Sequence, residues 1–202
     1  MTLLTLVQAV CDEIGIQRPA TVIGSSDQTA RQMLALSNKG GRILARRGRG
    51  IGGWTVLTKE REFTSTANED DYALPDDFEY FVDETAWDKD NFWRVRGPLS
   101  AQEWRYRKNG LATTGPHSRF RVKPVSNVRR FFLDPTPTTA TQDFIYEYVS
   151  NQWCQTAAGV GLSAWTVDTN TGILPQDLLE LDLIWRFKQK KGLDYAEEKY
   201  EF

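Results

Sequence analysis

The aromatic middle of the chain, Trp54–Leu99, limits the fold more than any other stretch. Tryptophan, phenylalanine and tyrosine recur there every few residues, and turn-forming sequence such as Pro75-Asp76-Asp77 interrupts them. Aromatic residues favour strands, and turns at this short spacing favour hairpins. We therefore predict short antiparallel strands in this segment, including one hairpin that reverses across Asp88–Asn91.

Helical sequence precedes this segment. An apolar stripe with helical spacing, capped by Thr2 and ended by Gly15, predicts a first helix; its members are Leu3, Leu6, Val7, Val10 and Ile14. A second amphipathic helix follows and ends in an arginine-rich stretch. Three small residues on this second helix predict that another element packs closely against it: Ser37, Gly40 and Gly41.

Helices and strands also follow the aromatic middle. Ser100 and Glu103 form a capping box that predicts a short helix over 101–108. Alternating apolar and polar residues then predict strands at 119–123, 128–133 and 142–150. In the last of these, one face carries three aromatic residues: Phe144, Tyr146 and Tyr148.

The final long helix is apolar around almost its whole circumference. It begins at Pro175, and large apolar residues crowd the stretch Leu178–Phe187. A helix of this kind is buried on all sides. Two alternatives stay open: the helix is central to its own domain, or one of its faces packs on another subunit.

These elements predict an α+β fold, in which the N- and C-terminal helices form a helical bundle and the middle of the chain forms a central antiparallel β region. We expect N-terminal helices in 1–53, a β-rich region with a short helix in 54–153, and a C-terminal loop and helices in 154–202. At 202 residues, the chain is expected to form one integrated domain with a β annex.

The sequence offers little chemistry. His117 is the one histidine, and the two cysteines, Cys11 and Cys154, lack metal-site spacing. No nucleophile elbow, metalloprotease or phosphate-loop motif occurs. We therefore predict a protein that is not an enzyme, with no cofactor, no metal and no catalytic residue. Carboxylates between Glu69 and Glu79 leave open a less favoured alternative, a cell-wall hydrolase.

Two basic groups have both a structural and a functional interpretation. The first could complement a helix C-terminus or contact nucleic acid or an acidic partner; it comprises Arg42, Arg46, Arg47 and Arg49. The second lies on two neighbouring strands within 119–130. A nucleic-acid-binding module is therefore an alternative function, although the net charge of −2 argues against a general DNA binder.

The sequence shows no signal peptide and no membrane span, so we expect a protein made in the cytoplasm.

The order of segments resembles the head–tail connector, or adaptor, family of tailed bacteriophages, which includes the tail tubular A type. Several stretches carry the resemblance: LLTLVQAVCDEIGI at 3–16, VIGSSDQTARQMLALSNKGGRILARRG at 22–48, Gly53-Trp54, YALPDDF at 72–78, ETAWDKDN at 84–91, RGPLSAQEW at 96–104, FIYEYVSNQW at 144–153, and DTNTGILPQDLLELDLIWRFKQKKGLDYAEE at 168–198. The resemblance covers nearly the full length.

The resemblance implies a structural protein of the virion, located at the head–tail junction. Such proteins form a ring, typically of twelve copies, that docks on the portal protein. They join the portal to a downstream tail or nozzle protein and pass DNA through the centre without sequence-specific contacts.

Four groups of site residues follow as expectations. The portal interface is predicted at Leu193, Tyr195, Tyr200 and Phe202. The subunit interface is predicted at Leu181, Ile184, Trp185 and Phe187. Basic residues that face the DNA channel or a partner are predicted at Arg42, Arg46, Arg47 and Arg49. A tail-side hairpin is predicted at Asp88, Lys89, Asp90, Asn91 and Trp93.

Overall fold

The computed structural model describes residues 1–47, 53–110, 115, 117–138 and 141–201. They fall into two compact units. The helical unit comprises Met1–Leu57 and Ser150–Phe202, and the β unit comprises Thr58–Val149. The α+β prediction, with helices from both ends of the chain and an antiparallel β region between them, is confirmed.

The described helices are α1 (Leu3–Ile14), α2 (Gln28–Arg47), α3 (Ala101–Asn109), α4 (Gln176–Lys191) and α5 (Ala196–Glu201). The described strands are β1 (Thr58–Thr64), β2 (Asp71–Ala73), β3 (Phe78–Phe81), β4 (Trp87–Asp88), β5 (Trp93–Arg94), β6 (Arg119–Val125), β7 (Val128–Asp134), β8 (Asp143–Ser150), β9 (Cys154–Gln155), β10 (Gly161–Leu162) and β11 (Thr171–Gly172).

Local capping sets the helix ends, as predicted. Thr2 accepts a hydrogen bond from the Thr5 backbone at the start of α1, and Gly15 ends that helix at φ 75°. Asp27 caps α2 by accepting from the Ala30 N–H at 2.9 Å. These contacts satisfy backbone groups that a helix terminus leaves unpaired. Both side-chain caps link residues three positions apart, which is why the sequence alone could predict the cap of α1.

The small residues of α2 lie where its neighbours approach most closely. A Cβ atom at Gly40 would collide with the Asp182 carboxylate of α4, and one at Gly41 would lie 2.5 Å from Cε2 of Trp153. Trp153 is fully buried. The predicted close approach is therefore confirmed, and it brings both a helix and the segment after β8 against α2.

Short strands organise the segment that the sequence left irregular. β9 pairs with both β10 and β11 in a three-stranded antiparallel sheet. Buried Asn170 holds the adjoining turn, since its Oδ1 accepts from the backbone N–H groups of Thr166 at 2.7 Å and Val167 at 2.9 Å. Asp168 accepts from the N–H groups of Val22 and Ile23. In this segment, side-chain oxygens accept hydrogen bonds from backbone N–H groups that have no partner in a helix or sheet.

Two antiparallel sheets form the β unit. One has the strand order β1-β8-β4-β5, with β3 also on β8, and the other has the order β2-β7-β6. Ser126 and Asn127, both at positive φ, close the tight β6–β7 hairpin. Aromatic rings fill the core of this unit: Phe131 stacks on Phe120 at 4.6 Å between centroids and on Tyr146 at 5.5 Å.

The aromatic middle begins differently from the prediction. The sequence predicted short strands throughout this segment, but a 3-10 turn over Thr55–Leu57 precedes β1. The Trp54 indole N–H donates to the Leu44 carbonyl at 2.8 Å. Trp54 therefore packs with the helical unit, and this tertiary contact overrides its preference for a strand.

Candidate docking surfaces

A buried carboxylate holds the turn of the predicted hairpin. β4 and β5 pair, and Asp88, the last residue of β4, is only 2% exposed. Its Oδ1 accepts from the backbone N–H groups of Asp90 at 3.2 Å and Asn91 at 3.1 Å, and its Oδ2 accepts from Asn91 Nδ2 at 2.8 Å. The Asp88 carboxylate is thus turned inward and satisfies the turn, and the contact of this hairpin with a partner stays a prediction.

Further contacts fix the hairpin tip on the sheet. The Lys89 N–H donates to the Asp143 carbonyl at 2.8 Å, and the Asp143 N–H donates to Asp90 Oδ2 at 2.7 Å. The Lys89 ammonium also pairs with Glu62 of β1. Hydrogen bonding to Glu62 raises the pKa of Lys89. The tip is thus attached to β1 and β8, which would present its side chains in a fixed position.

The tip exposes large aromatic side chains. Phe92 is 82% exposed, Trp87 44% and Trp93 39%. Cross-strand partners share a face, so Trp93 lies on the Asp88 side of the ribbon and Trp87 on the other. The exposed His117 ring lies 5.1 Å from the Trp93 ring. Exposed aromatic side chains grouped at one place are typical of protein-binding surfaces.

Phe92 also has an unusual backbone conformation. Its φ of 56° lies in the left-handed region, which large residues rarely adopt. Strained backbone positions cluster at functional sites. The folded turn shows both the exposure and the conformation of Phe92.

The C-terminal segment exposes two of the predicted portal residues. Tyr200 is 92% exposed and Leu193 is 49% exposed. Tyr195 is half-buried, with its ring 6.5 Å from that of Trp185. An ion pair between Lys188 and Glu198 attaches α5 to α4; hydrogen bonding within this pair lowers the pKa of Glu198. The fourth predicted residue, Phe202, lies outside the described residues.

The predicted subunit-interface residues lie mostly inside their own unit. Ile184, Trp185 and Phe187 are each 7% exposed or less, whereas Leu181 is half-buried. Of the two alternatives for this apolar helix, the structure supports the first, since α4 is central to the helical unit. The predicted subunit contact stays a prediction, and among the four residues Leu181 keeps the most surface for it.

The polar positions of α4 complete its burial. Asp182 is 2% exposed, and its Oδ2 accepts from Arg186 Nε at 2.7 Å. Burial raises the pKa of Asp182, although Arg186 and Arg47 act to lower it. An internal ion pair thus occupies the side of α4 that carries no apolar residue.

The basic group at the end of α2 has partners within the helical unit. Arg46 and Arg47 lie in the last turn, where cations favourably face the helix dipole. Arg47 also acts electrostatically on Asp182. The Arg42 Nε–H donates to the Asn38 carbonyl at 3.2 Å. Arg49 lies outside the described residues. These contacts favour the structural interpretation, and contact with DNA stays a prediction.

The other candidate groups have structural partners too. Among the predicted acids, Asp71 pairs with Arg130, and Asp77 pairs with Lys59.

Both cysteine thiols are buried, and burial raises the pKa of Cys154 to about 12. No group of three His, Cys, Asp or Glu side chains in the described part of the chain could hold a metal ion. The helices within that part are too short or too polar to cross a bilayer.

Sequence reasoning missed one concave surface, which we term the basic groove. It lies between α3 and β6, has a volume of about 390 Å³, and is formed by Arg105, Lys108, Arg121 and Lys123 around Trp104. Arg105 and Lys108 are three positions apart on a helix, and Arg121 and Lys123 two apart on a strand, so each pair shares a face. This spacing was visible in the sequence, but the meeting of the two pairs was not.

One comparison with known proteins identifies relatives. Residues 1–200 match the family model described as SU10 adaptor protein. A search of curated proteins returns no match. The match covers both units, and it therefore includes the hairpin tip, α5 and the basic groove.

Proposed function

Because the chain belongs to the SU10 adaptor protein family, a family of phage head–tail adaptors, we propose that it forms a ring that docks on the portal, joins the portal to the tail and lets DNA pass through its centre. Membership implies a structural role in the virion. Twelve copies per ring, and DNA contacts without sequence specificity, belong to the same proposal. The family match over nearly the whole chain is the observation that carries it.

The C-terminal segment is the proposed portal contact. Tyr200 and Leu193 present apolar surface that their own unit leaves uncovered, and the short helix α5, which carries Tyr200, is otherwise mostly polar. Tyrosine is enriched among residues that dominate binding energy, since it buries a large rigid ring while its hydroxyl keeps a hydrogen bond. The ion pair of Lys188 with Glu198 would orient this segment before it binds.

Electron microscopy of portal rings mixed with the purified chain tests the proposal. We expect an added ring on one side of the portal. Truncation after Lys191 should weaken portal binding at least about 100-fold, since loss of a central aromatic anchor alone costs about 2 kcal/mol or more. Tyr200→Ser should reproduce much of that loss without lowering the melting temperature, because its ring is exposed.

Asp177→Ser, an exposed change at the other end of α4, serves as the control and should bind normally. A truncated chain that binds the portal as tightly as the full chain would assign the contact to another surface. Portal rings that gain no added density with the full chain would refute the proposed function itself.

The hairpin tip is the proposed contact with the downstream tail protein. Phe92→Asn should remove the most exposed ring of the hairpin tip. It also places a residue that tolerates left-handed φ at this strained position. We expect the melting temperature to stay equal or rise, while binding of the next tail protein to portal–adaptor complexes falls about tenfold or more in a pull-down titration.

Val128→Asn provides a matched control for this change. Val128 is 61% exposed elsewhere in the β unit, so the substitution removes a similar kind of exposed apolar side chain. We expect it to leave tail-protein binding unchanged. Equal losses for both variants would indicate a nonspecific surface effect and argue against a contact at the tip.

A further inference from the structure

The basic groove concentrates positive charge in one concavity of the β unit. Arg121 and Lys123 alternate along β6, and Arg105 and Lys108 lie one turn apart on α3. The buried Trp104 forms the floor between them. Four cations therefore converge on a volume of about 390 Å³.

Little negative charge balances these cations. The Lys108 ammonium lies 2.9 Å from Asp134 Oδ1. Within the described residues, no carboxylate lies at ion-pair distance from Arg105, Arg121 or Lys123. A surplus of about three positive charges remains, which a bound anion would neutralise.

Lys123 is held in place by aromatic rings. Its ammonium lies 3.5 Å from the Phe132 ring centroid and 5.4 Å from that of Trp104. Such contacts with ring faces orient a cation without neutralising it. Burial and the neighbouring cations, Arg121 foremost, lower the pKa of Lys123, although Asp70 opposes the shift.

Acidic and basic residues are concentrated in different stretches of the β unit. Residues 58–90 contain twelve acidic and three basic residues, whereas residues 91–130 contain ten basic and one acidic residue. The basic stretch supplies every cation of the groove. The acidic stretch includes three exposed carboxylates for which no ion pair occurs within the described residues: Glu69, Asp76 and Asp83.

We propose that the basic groove binds carboxylates from the acidic stretch, residues 58–90, of a second copy of this chain. The inference rests on the proposed ring and names one contact within it. Each copy carries both halves of the contact, so the association is head-to-tail, and a head-to-tail contact can close into a ring.

A second copy fits the groove better than DNA does. The four cations line a concavity and do not follow a long exposed stripe, and the one aromatic ring on its floor, Trp104, is 5% exposed and offers no face for base stacking. The net charge of the chain is −2, which opposes nonspecific DNA binding. A matching acidic stretch, by contrast, is present in every copy.

Sedimentation velocity of the full chain and two charge-reversal variants tests the inference. The groove variant is Arg105→Glu/Arg121→Glu/Lys123→Glu, and the acidic-side variant is Glu69→Lys/Asp76→Lys/Asp83→Lys. We expect the unmodified chain to self-associate less as salt rises. Each variant alone should associate about tenfold more weakly or worse, because like charges then face each other. An equimolar mixture of the two variants should regain the association.

A third variant, Arg31→Glu/Lys39→Glu/Lys190→Glu, controls for net charge. It makes the same charge change as the groove variant at exposed positions of α2 and α4. We expect it to associate like the unmodified chain. Circular dichroism melting of every variant checks folding, and the salt dependence of the unmodified chain needs no variant at all.

Several outcomes would overturn the inference. These are an unmodified chain that stays monomeric at every concentration and salt, a groove variant that associates normally, or two variants whose mixture regains nothing. A labelled DNA duplex is titrated in parallel; loss of its binding in the groove variant, with normal self-association, would assign the groove to nucleic acid.

The portal assay separates this inference from the proposed function. A groove variant that joins a ring on the portal as readily as the unmodified chain would refute the groove contact and leave the adaptor function standing. Paired variants that regain association, with no ring on the portal, would support the groove contact and refute the adaptor function.

Discussion

Replacing Gly41 with leucine should lower the free energy of unfolding by about 3 kcal/mol or more. Even a Cβ atom at this position would lie 2.5 Å from Cε2 of Trp153. The indole has little freedom to move, because it is fully buried, donates to the Ser163 carbonyl at 2.9 Å and packs edge-on against Trp165 at 4.9 Å. The added side chain must therefore displace α2 or break these contacts.

Urea denaturation followed by tryptophan fluorescence measures this effect. Ala35→Leu is the control, since Ala35 lies on the exposed side of the same helix. We expect that change to alter stability by no more than about 0.5 kcal/mol. Similar midpoints for Gly41→Leu and the unmodified chain would show that the approach of Trp153 to α2 is looser than the structure indicates.

Replacing Arg186 with methionine should cost about 3–5 kcal/mol of stability at neutral pH, because it leaves a buried carboxylate without its cation. Methionine retains the apolar stem, so the effect reports mainly on charge. Asp182 is 2% exposed and accepts from Arg186 Nε at 2.7 Å. Arg18→Met is the control, since the ion pair of Arg18 with Asp12 is exposed, and it should leave stability nearly unchanged because water screens an exposed pair.

The loss in Arg186→Met should shrink as the pH falls. Burial already raises the pKa of Asp182 above its ordinary value, and loss of Arg186, which lowers it, should raise it further. A carboxyl with a raised pKa in the folded state binds its proton more tightly there than in the unfolded chain. Its contribution to stability is fully present below the unfolded pKa and is lost as the pH rises through the folded pKa.

Urea titrations of this variant from pH 7 down to about pH 4 measure the pH effect. The double variant Asp182→Leu/Arg186→Met should be more stable than Arg186→Met at pH 7, because it removes the uncompensated charge. If Arg186→Met lowers the free energy of unfolding by the same amount at every pH, lost packing, and not the buried charge, causes the destabilisation.

Much of the helical architecture followed from the sequence. The capped start of α1, the capping box before α3 and the small residues of α2 were each assigned correctly. The first two depend on hydrogen bonds between residues three positions apart. The third depends on the rule that helices approach closely only where side chains are small.

The candidate surfaces were less predictable. The sequence placed a hairpin reversal at Asp88–Asn91 correctly, but it did not show that Asp88 points inward. It identified an unusually apolar α4, but not whether the chain itself covers that helix. These outcomes depend on which segments, distant in the sequence, pack against each residue. Short-range sequence patterns do not specify those tertiary neighbours.

The sequence by itself determined the class of fold, the helix termini and the order of segments typical of a phage adaptor. Those properties arise from hydrogen bonds and periodicities within a few residues. Only the tertiary structure decided that Asp182 and Arg186 are buried under Gly40, and that Arg105 and Lys123 share one groove. Burial and electrostatic balance depend on groups that are far apart in the chain, and only folding brings those groups together.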